Sequence, residues 1–220
     1  GKAMFTDSDD DDDNRLRLDI KSTSYSNRYV VTGTGSTLTN PYVIYFGYAV
    51  GSQYGLFQVN DNATLSGNIM YHGFRGDDAT LQVTSNATAD FASSYRLGHE
   101  GKRNRLEVNG NGSTLNIGSS FDIGYATGAD DNSLEISDQG TVTVGGNMTV
   151  GGSGTNNSAV VKGGSSLSVG SGSVLTVGST ANNNSMLVSG SGTSVESQYR
   201  VYVRSDNPGA HDNSLTVTDQ

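Results

Sequence analysis

Apolar and polar residues alternate in short bursts along the chain. In the string SLEIS, Leu134 and Ile136 fall on one side and Ser133 and Glu135 on the other. That is the period-2 pattern of a strand with one buried face. Val142 and Val144 repeat it in TVTVG, and Met148 and Val150 repeat it in NMTVGG. Gly, Asn, Asp and Ser close each burst, as turns require. No segment shows the apolar spacing of a helix.

The bursts recur as a unit: Asn-Ser, a strand, a Gly-rich turn, a second strand, a turn, a third strand and a Gly/Asn/Asp loop. Copies open near Asn27, Tyr54, Ala79, Asn104, Asn132, Asn157, Asn184 and Asn213, each about 25–29 residues long. One copy cannot bury its apolar face, whereas stacked copies share a continuous core and pair every strand with those above and below. The pattern predicts an all-β chain, a parallel β-helix (β-solenoid) with three short strands per coil over residues 27–220. Leu106, Leu134, Ala159, Met186 and Leu215 should stack in one inward row, and Val108, Ile136, Val161, Val188 and Val217 in the next. A second-strand row should hold Leu38, Leu65, Ala89, Leu115, Val142, Leu167 and Val195. Residues 1–26 stand apart as an acidic loop with an edge or cap segment. Met4-Phe5 resembles the tail of a preceding coil, and Asn14 to Ser26 is too short for a full one.

Composition changes this picture little. Hydrophobic residues make up 33% of the 220, below the ~45–50% of ordinary domains. With 30 glycines, such a chain reads as disordered unless its apolar residues are regularly placed, as they are here. Only Pro41 and Pro208 interrupt strands. Absence of cysteine excludes disulfides and thiolate metal sites. A net charge of −9 argues against nucleic acid and anionic lipid as partners. No stretch reaches the ~20 apolar residues of a membrane helix, so this segment is not expected to insert into a membrane. No signal peptide is visible, and the chain reads as a mature or excised segment.

The Asn-Ser-Leu-x-Val type openings at Asn132, Asn157, Asn184 and Asn213, and the strand endings Val150-Gly151 and Val177-Gly178, resemble the repeats of bacterial autotransporter passengers and of surface proteins carrying autotransporter-associated β-strand repeats. The resemblance covers roughly residues 27–220. It implies a right-handed β-helix, secretion and placement at the bacterial cell surface, and it fits the missing cysteines because such chains are exported unfolded. It brings no catalytic motif with it, and such coils serve as stalks, adhesins and enzyme scaffolds alike.

Several residue sets are candidates for more than packing. The column Asn27, Asn104, Asn132, Asn157, Asn184 and Asn213 sits where turns enter first strands. Asn tolerates left-handed backbone, and stacking would align the amides into a ladder. Asp7, Asp9, Asp10, Asp11, Asp12 and Asp13 form a solvated acidic loop, with a weak calcium site as the second reading. No glycine allows an EF-hand-like wrap there, and the run takes the loop position of Ala129-Asp130-Asp131. Tyr48, His99 and Tyr125 each follow a glycine after a third strand, with His72 or Phe74 nearby in the coil between. Tyr48, His72, His99 and Tyr125 are therefore expected along one edge as an aromatic stack and a candidate binding set. Eleven tyrosines, concentrated before residue 126, thicken the core or present rings to glycans. An outward column of Thr37, Thr64, Thr88, Thr114, Thr141 and Ser166 hints at ice binding, but Asp90 and Asn116 interrupt its neighbour. Loops are short and no paired-carboxylate motif appears, so no enzyme is expected. The sequence points instead to a structural or adhesive segment that stacks on itself end to end, with a surface protein as an alternative partner. A carbohydrate-binding or polysaccharide-active protein is the competing reading.

Overall fold

The computed structural model describes residues 2–4, 15–19, 21, 23–203 and 210–219. Among them are twenty-two strands and no helix. All paired strands run parallel in two sheets. The first strands of the coils, from Arg28–Thr32 through Arg105–Asn109 to Ser214–Thr218, make one sheet of eight in chain order. Second and third strands make the other sheet, of fourteen. They join through two long strands, Thr37–Phe46 and Thr64–His72, which pass from second to third position without a break. The chain is a β-solenoid.

Side chains stack in the expected rows. Leu106, Leu134, Ala159, Met186 and Leu215 are consecutive partners, as are Val108, Ile136, Val161, Val188 and Val217. The second-strand row from Leu38 to Val195 also holds. Rungs ~4.8 Å apart place like residues in contact, so the interior is a stack of thin apolar layers. Between second and third strands the backbone bends at small residues. A Cβ on Gly118 would overlap the Ala92 carbonyl, and one on Gly145 the Gly118 carbonyl, so consecutive coils approach too closely there for side chains.

Asn104, Asn132, Asn157, Asn184 and Asn213 form the expected ladder, whereas Asn27 stands outside it and its amide donates to Asp19. Oδ1 of Asn132 accepts the Asn104 backbone N–H at 2.9 Å and its Nδ2 at 3.1 Å, and Asn157, Asn184 and Asn213 repeat this one coil further on. Asn104, Asn132, Asn157 and Asn184 are fully buried. Left-handed backbone, however, belongs to the preceding residue, with Arg103, Asp131, Asn156, Asn183 and Asp212 all near φ +54 to +59°. Each buried amide lies on a glycine that ends a third strand, so a Cβ on Gly98 would overlap Asn132 and one on Gly124 would overlap Asn157. The repeated glycine and the repeated asparagine are two halves of one contact.

Earlier coils depart from this plan. Gly55 and Ala79 occupy the ladder position there, before the first strands Leu56–Asn60 and Thr80–Thr84. His72 is fully buried, with Nδ1 3.0 Å from the Tyr95 hydroxyl, Nε2 3.0 Å from the Ala79 carbonyl and the ring stacked on Phe46 at 5.1 Å. Burial pushes its pKa down to about 4. Near the start, buried Asp19 accepts from Asn27 Nδ2 and the Tyr29 hydroxyl. Burial first, then that bond, push the Tyr29 pKa up to about 12.

Lys2–Met4 pairs with the second-strand residues Thr37–Thr39, and Arg15–Arg17 with the third-strand residues Val43–Tyr45. Asp7 and Asp9 to Asp13 themselves lie outside the described residues, and the calcium reading with them.

Candidate ligand-binding face

Turns leaving the third strands place one side chain per coil just after the glycine that seats the asparagine ladder. In four consecutive coils that side chain is aromatic: Tyr48, Phe74, His99 and Tyr125. Parallel pairing in register stacks them face to face. Centroids are 5.4 Å apart for Tyr48–Phe74, 5.2 Å for Phe74–His99 and 5.2 Å for His99–Tyr125, with ring planes within 15° of parallel. Expected members Tyr48, His99 and Tyr125 are thus brought together. His72 is not among them. Its inward parity carries it into the core, and Phe74 takes its place. In the next coil the position falls to Gly152, and the stack stops.

A second column runs beside the first on the outward side of the third strands: Tyr45, Tyr71, Arg96 and Asp122. Tyr45 stacks on Tyr71 at 5.1 Å, and Tyr71 lies 4.7 Å from His99. Arginines edge the rings: Arg17 over Tyr48 at 5.1 Å, Arg75 over Phe74 at 5.0 Å, and Arg96 over Tyr125 at 3.8 Å and Tyr71 at 5.3 Å. Sequence reading missed Arg96. Continuing the Tyr45–Tyr71 column by one more repeat length would have found it.

Electrostatics at this face are unevenly satisfied. Arg75 pairs with Glu100 at 3.3 Å. Arg96 reaches the Tyr71 hydroxyl only at 3.4 Å and the Asp122 carboxylate at 4.0 Å, and its Nε has no hydrogen-bond partner. Burial lifts the Asp122 carboxyl above its usual range, against the opposing pull of Arg96 and a bond from Thr149. Burial likewise lowers the His99 pKa, helped by the Arg96 charge, and its Nδ1 is buried without a partner.

Other surfaces are less suggestive. The outer side of the first-strand sheet carries a chain of mutually bonded groups, Gln58 to Gln82 at 2.7 Å, Gln82 to Glu107 at 2.8 Å and Lys162 to Glu135 at 2.8 Å. The outward hydroxyl columns on the second strands are in register. Beside them, at the bend, lies an open groove of about 510 Å³ lined by Ser66, Asp90, Asn116 and Thr143 above a floor of Gly67, Gly118 and Gly145. Asn116 donates to Asp90 at 2.6 Å, which interrupts any uniform hydroxyl array. Among the described residues no cluster of three His, Asp or Glu side chains is close enough to hold a metal ion, and no helix is long and apolar enough to cross a membrane.

Fold and face together define a β-solenoid with an aromatic edge confined to its earlier coils. No family model matches the chain, and no match was found among curated proteins or solved structures.

Proposed function

We propose that the chain is a structural and adhesive segment of a bacterial extracellular surface protein, without catalytic activity. One observation carries this reading. Uniform coils with short turns expose long ordered faces and gather few polar side chains toward a point, as a stalk or adhesive rod requires and a catalytic cleft does not. End-to-end stacking on a second copy is part of this reading, since open strand edges of a solenoid invite pairing. The test is attachment of protein-coated beads to glycan- and protein-coated surfaces, with light scattering at rising concentration. Attachment or concentration-dependent growth supports the reading, and beads that do neither refute its adhesive part.

The aromatic edge favours a second reading, carbohydrate binding, because stacked rings flanked by arginines are more than a thin core needs. A glycan array probed with the whole chain, and with Tyr125→Ala, tests it. Binding that Tyr125→Ala weakens supports it, and no binding removes it.

A further inference from the structure

We propose that the corner formed by Arg96 and Tyr125 binds an oligosaccharide of carboxylated sugars, lying along the solenoid axis. This rests on the carbohydrate-binding reading and adds the chemistry of the ligand.

The argument begins with which ring faces are free. Phe74 and His99 each have a ring stacked on both sides, and Tyr48 is flanked by Phe74 and the Arg17 guanidinium. None of these rings offers a flat face to a ligand. Tyr125 ends the stack and is 39% exposed. The next residue in its column is Gly152, with no side chain to cover it.

Arg96 sits on the other side of that ring. Tyr71 and Tyr125 belong to coils two rungs apart, roughly 9.5 Å along the axis. That gap admits one planar group, and the Arg96 guanidinium fills it, 5.3 Å from one centroid and 3.8 Å from the other. Two rings thus flank the guanidinium, while its side chain keeps 24% of its surface exposed. Its Nε is buried and faces the Asp122 carboxylate at 4.0 Å, so a ligand can reach only the terminal nitrogens, of which Nη1 touches the Tyr71 hydroxyl only at 3.4 Å. A preoriented guanidinium with free donors matches a carboxylate in two-point geometry. An aromatic face next to it suits the apolar side of a sugar ring, as tyrosine does where one end of a contact is wet.

The two features lie on opposite sides of the Tyr125 ring, about two rungs or ~9–10 Å apart. One sugar ring cannot satisfy both, so the ligand is an oligomer. The chain's overall negative charge does not oppose this, because charges beyond ~8 Å are largely screened at physiological salt.

The experiment is calorimetric titration of the whole chain with a galacturonate oligomer, a sialylated oligosaccharide, a neutral galactose oligomer of matched length and monomeric galacturonate. Arg96→Gln, Arg96→Lys and Tyr125→Ser are titrated in parallel, each checked for an unchanged melting temperature. A carboxylated oligomer should bind, the monomer far more weakly. Arg96→Gln should cost about tenfold or more for the acid alone, the loss of a charge-assisted bond. Arg96→Lys should recover only part of this, since it keeps the charge without the fork. Tyr125→Ser should weaken acidic and neutral oligomers alike. Comparison of the two acids separates uronate from sialate as the source. Equal binding of acidic and neutral oligomers, indifferent to Arg96→Gln, would overturn the inference and leave the carbohydrate reading standing. No binding of any oligomer would remove both.

Discussion

Coils on either side of Asn132 share one backbone register and differ in what fills it. From Asn132 onward the interior is aliphatic, with Leu134, Val142, Val150, Val161 and Leu167 in the rows, and the asparagine ladder closes every turn. Before it, Phe46, Phe57, Phe91, Tyr95 and Phe121 are buried, the ladder lapses at Gly55 and Ala79, and rings line the outer edge. Regular stacking needs only small, repeated contacts. The irregular half spends the same scaffold on a buried imidazole and a ring face, and that departure from the plainest repeat locates the candidate site.

The ladder offers the strongest way to break the comparison. Asn157→Ala removes the oxygen that accepts both the Asn132 N–H and its Nδ2, leaving buried donors unpaired. Stability to urea should fall by about 3–5 kcal/mol, several times the ~1 kcal/mol of one ordinary hydrogen bond. Gly124→Ala attacks the same contact from the other side, through overlap with that amide and an unfavourable φ of +69°. A loss under about 1 kcal/mol from both would mean that the amides ride on the sheet without supporting it.

His72 gives the earlier coils an acid sensitivity that sets in at a higher pH than any from the lowered carboxyl of Glu135 in the later ones. Its neighbours are the Phe46 ring, the Tyr95 hydroxyl and the Ala79 carbonyl; burial disfavours the cation and outweighs the carbonyl, which favours it. The unfolded imidazole titrates near 6.5 and the folded one near 4. Between these values the unfolded chain holds a proton that the native one does not, so stability is complete above pH 6.5 and falls as pH drops toward 4. The integrated loss is about 3 kcal/mol. His99, whose pKa is also lowered, adds to it in the same direction. Coils in a solenoid open semi-independently, so hydrogen-exchange protection at pH 5, taken relative to the intrinsic amide rate at that pH, should fall around Phe46–Leu97 before it does around Leu134–Val188. His72→Leu should flatten most of the difference, and protection that falls evenly along the chain would refute the local account.

Next in size comes the ring stack. Phe74→Ala removes a ring packed between Tyr48 and His99 and should cost about 1–2 kcal/mol in thermal or urea melts, since an aromatic pair adds ~0.5–1.5 kcal/mol beyond its area. A matched change in the later half, Ser179→Ala at the corresponding position after Gly178, should cost less.

Much of the fold was legible in the sequence because parity and repeat length act together. Once Leu134 and Ile136 are inward, every residue one repeat away inherits its side. The rows from Leu106 to Leu215 and from Leu38 to Val195 follow. Where the coil shortens, the same reasoning slips. Between Tyr54 and Asp78 the second and third strands merge into Thr64–His72, so no turn marks where counting should restart. Gly73 precedes Phe74 as Gly98 precedes His99, yet His72 looked equally placed. Its alignment with Leu97 and Ile123, both inward, was the available signal. Lys2–Met4 and Arg15–Arg17 are too short to show alternation, and only their pairing reveals their positions. Sequence alone does not place Arg96 on this edge, because its meaning comes from two rings a coil away on either side.

The smallest effect is the most direct test of why the ring stack ends. Gly152 has ordinary backbone geometry, absent from the left-handed set, and a Cβ there would sit 3.2 Å from the Gly124 carbonyl and 3.3 Å from that of Tyr125. A shift of a few tenths of an ångström relieves both. Gly152→Tyr should therefore be accommodated and add a fifth ring to the four. One further stacked pair is worth ~0.5–1.5 kcal/mol, and the crowding offsets part of it, so the net change in melting stability should be a gain of less than about 1 kcal/mol. If the stack exists only to hold the coils together, extending it is harmless or useful. If Tyr125 ends it in order to leave a face open, the same substitution covers that face while leaving the fold intact. Measuring stability and oligosaccharide binding on this one variant thus separates packing from function. Unchanged stability with lost binding assigns the open face to a ligand, and unchanged binding returns it to simple packing.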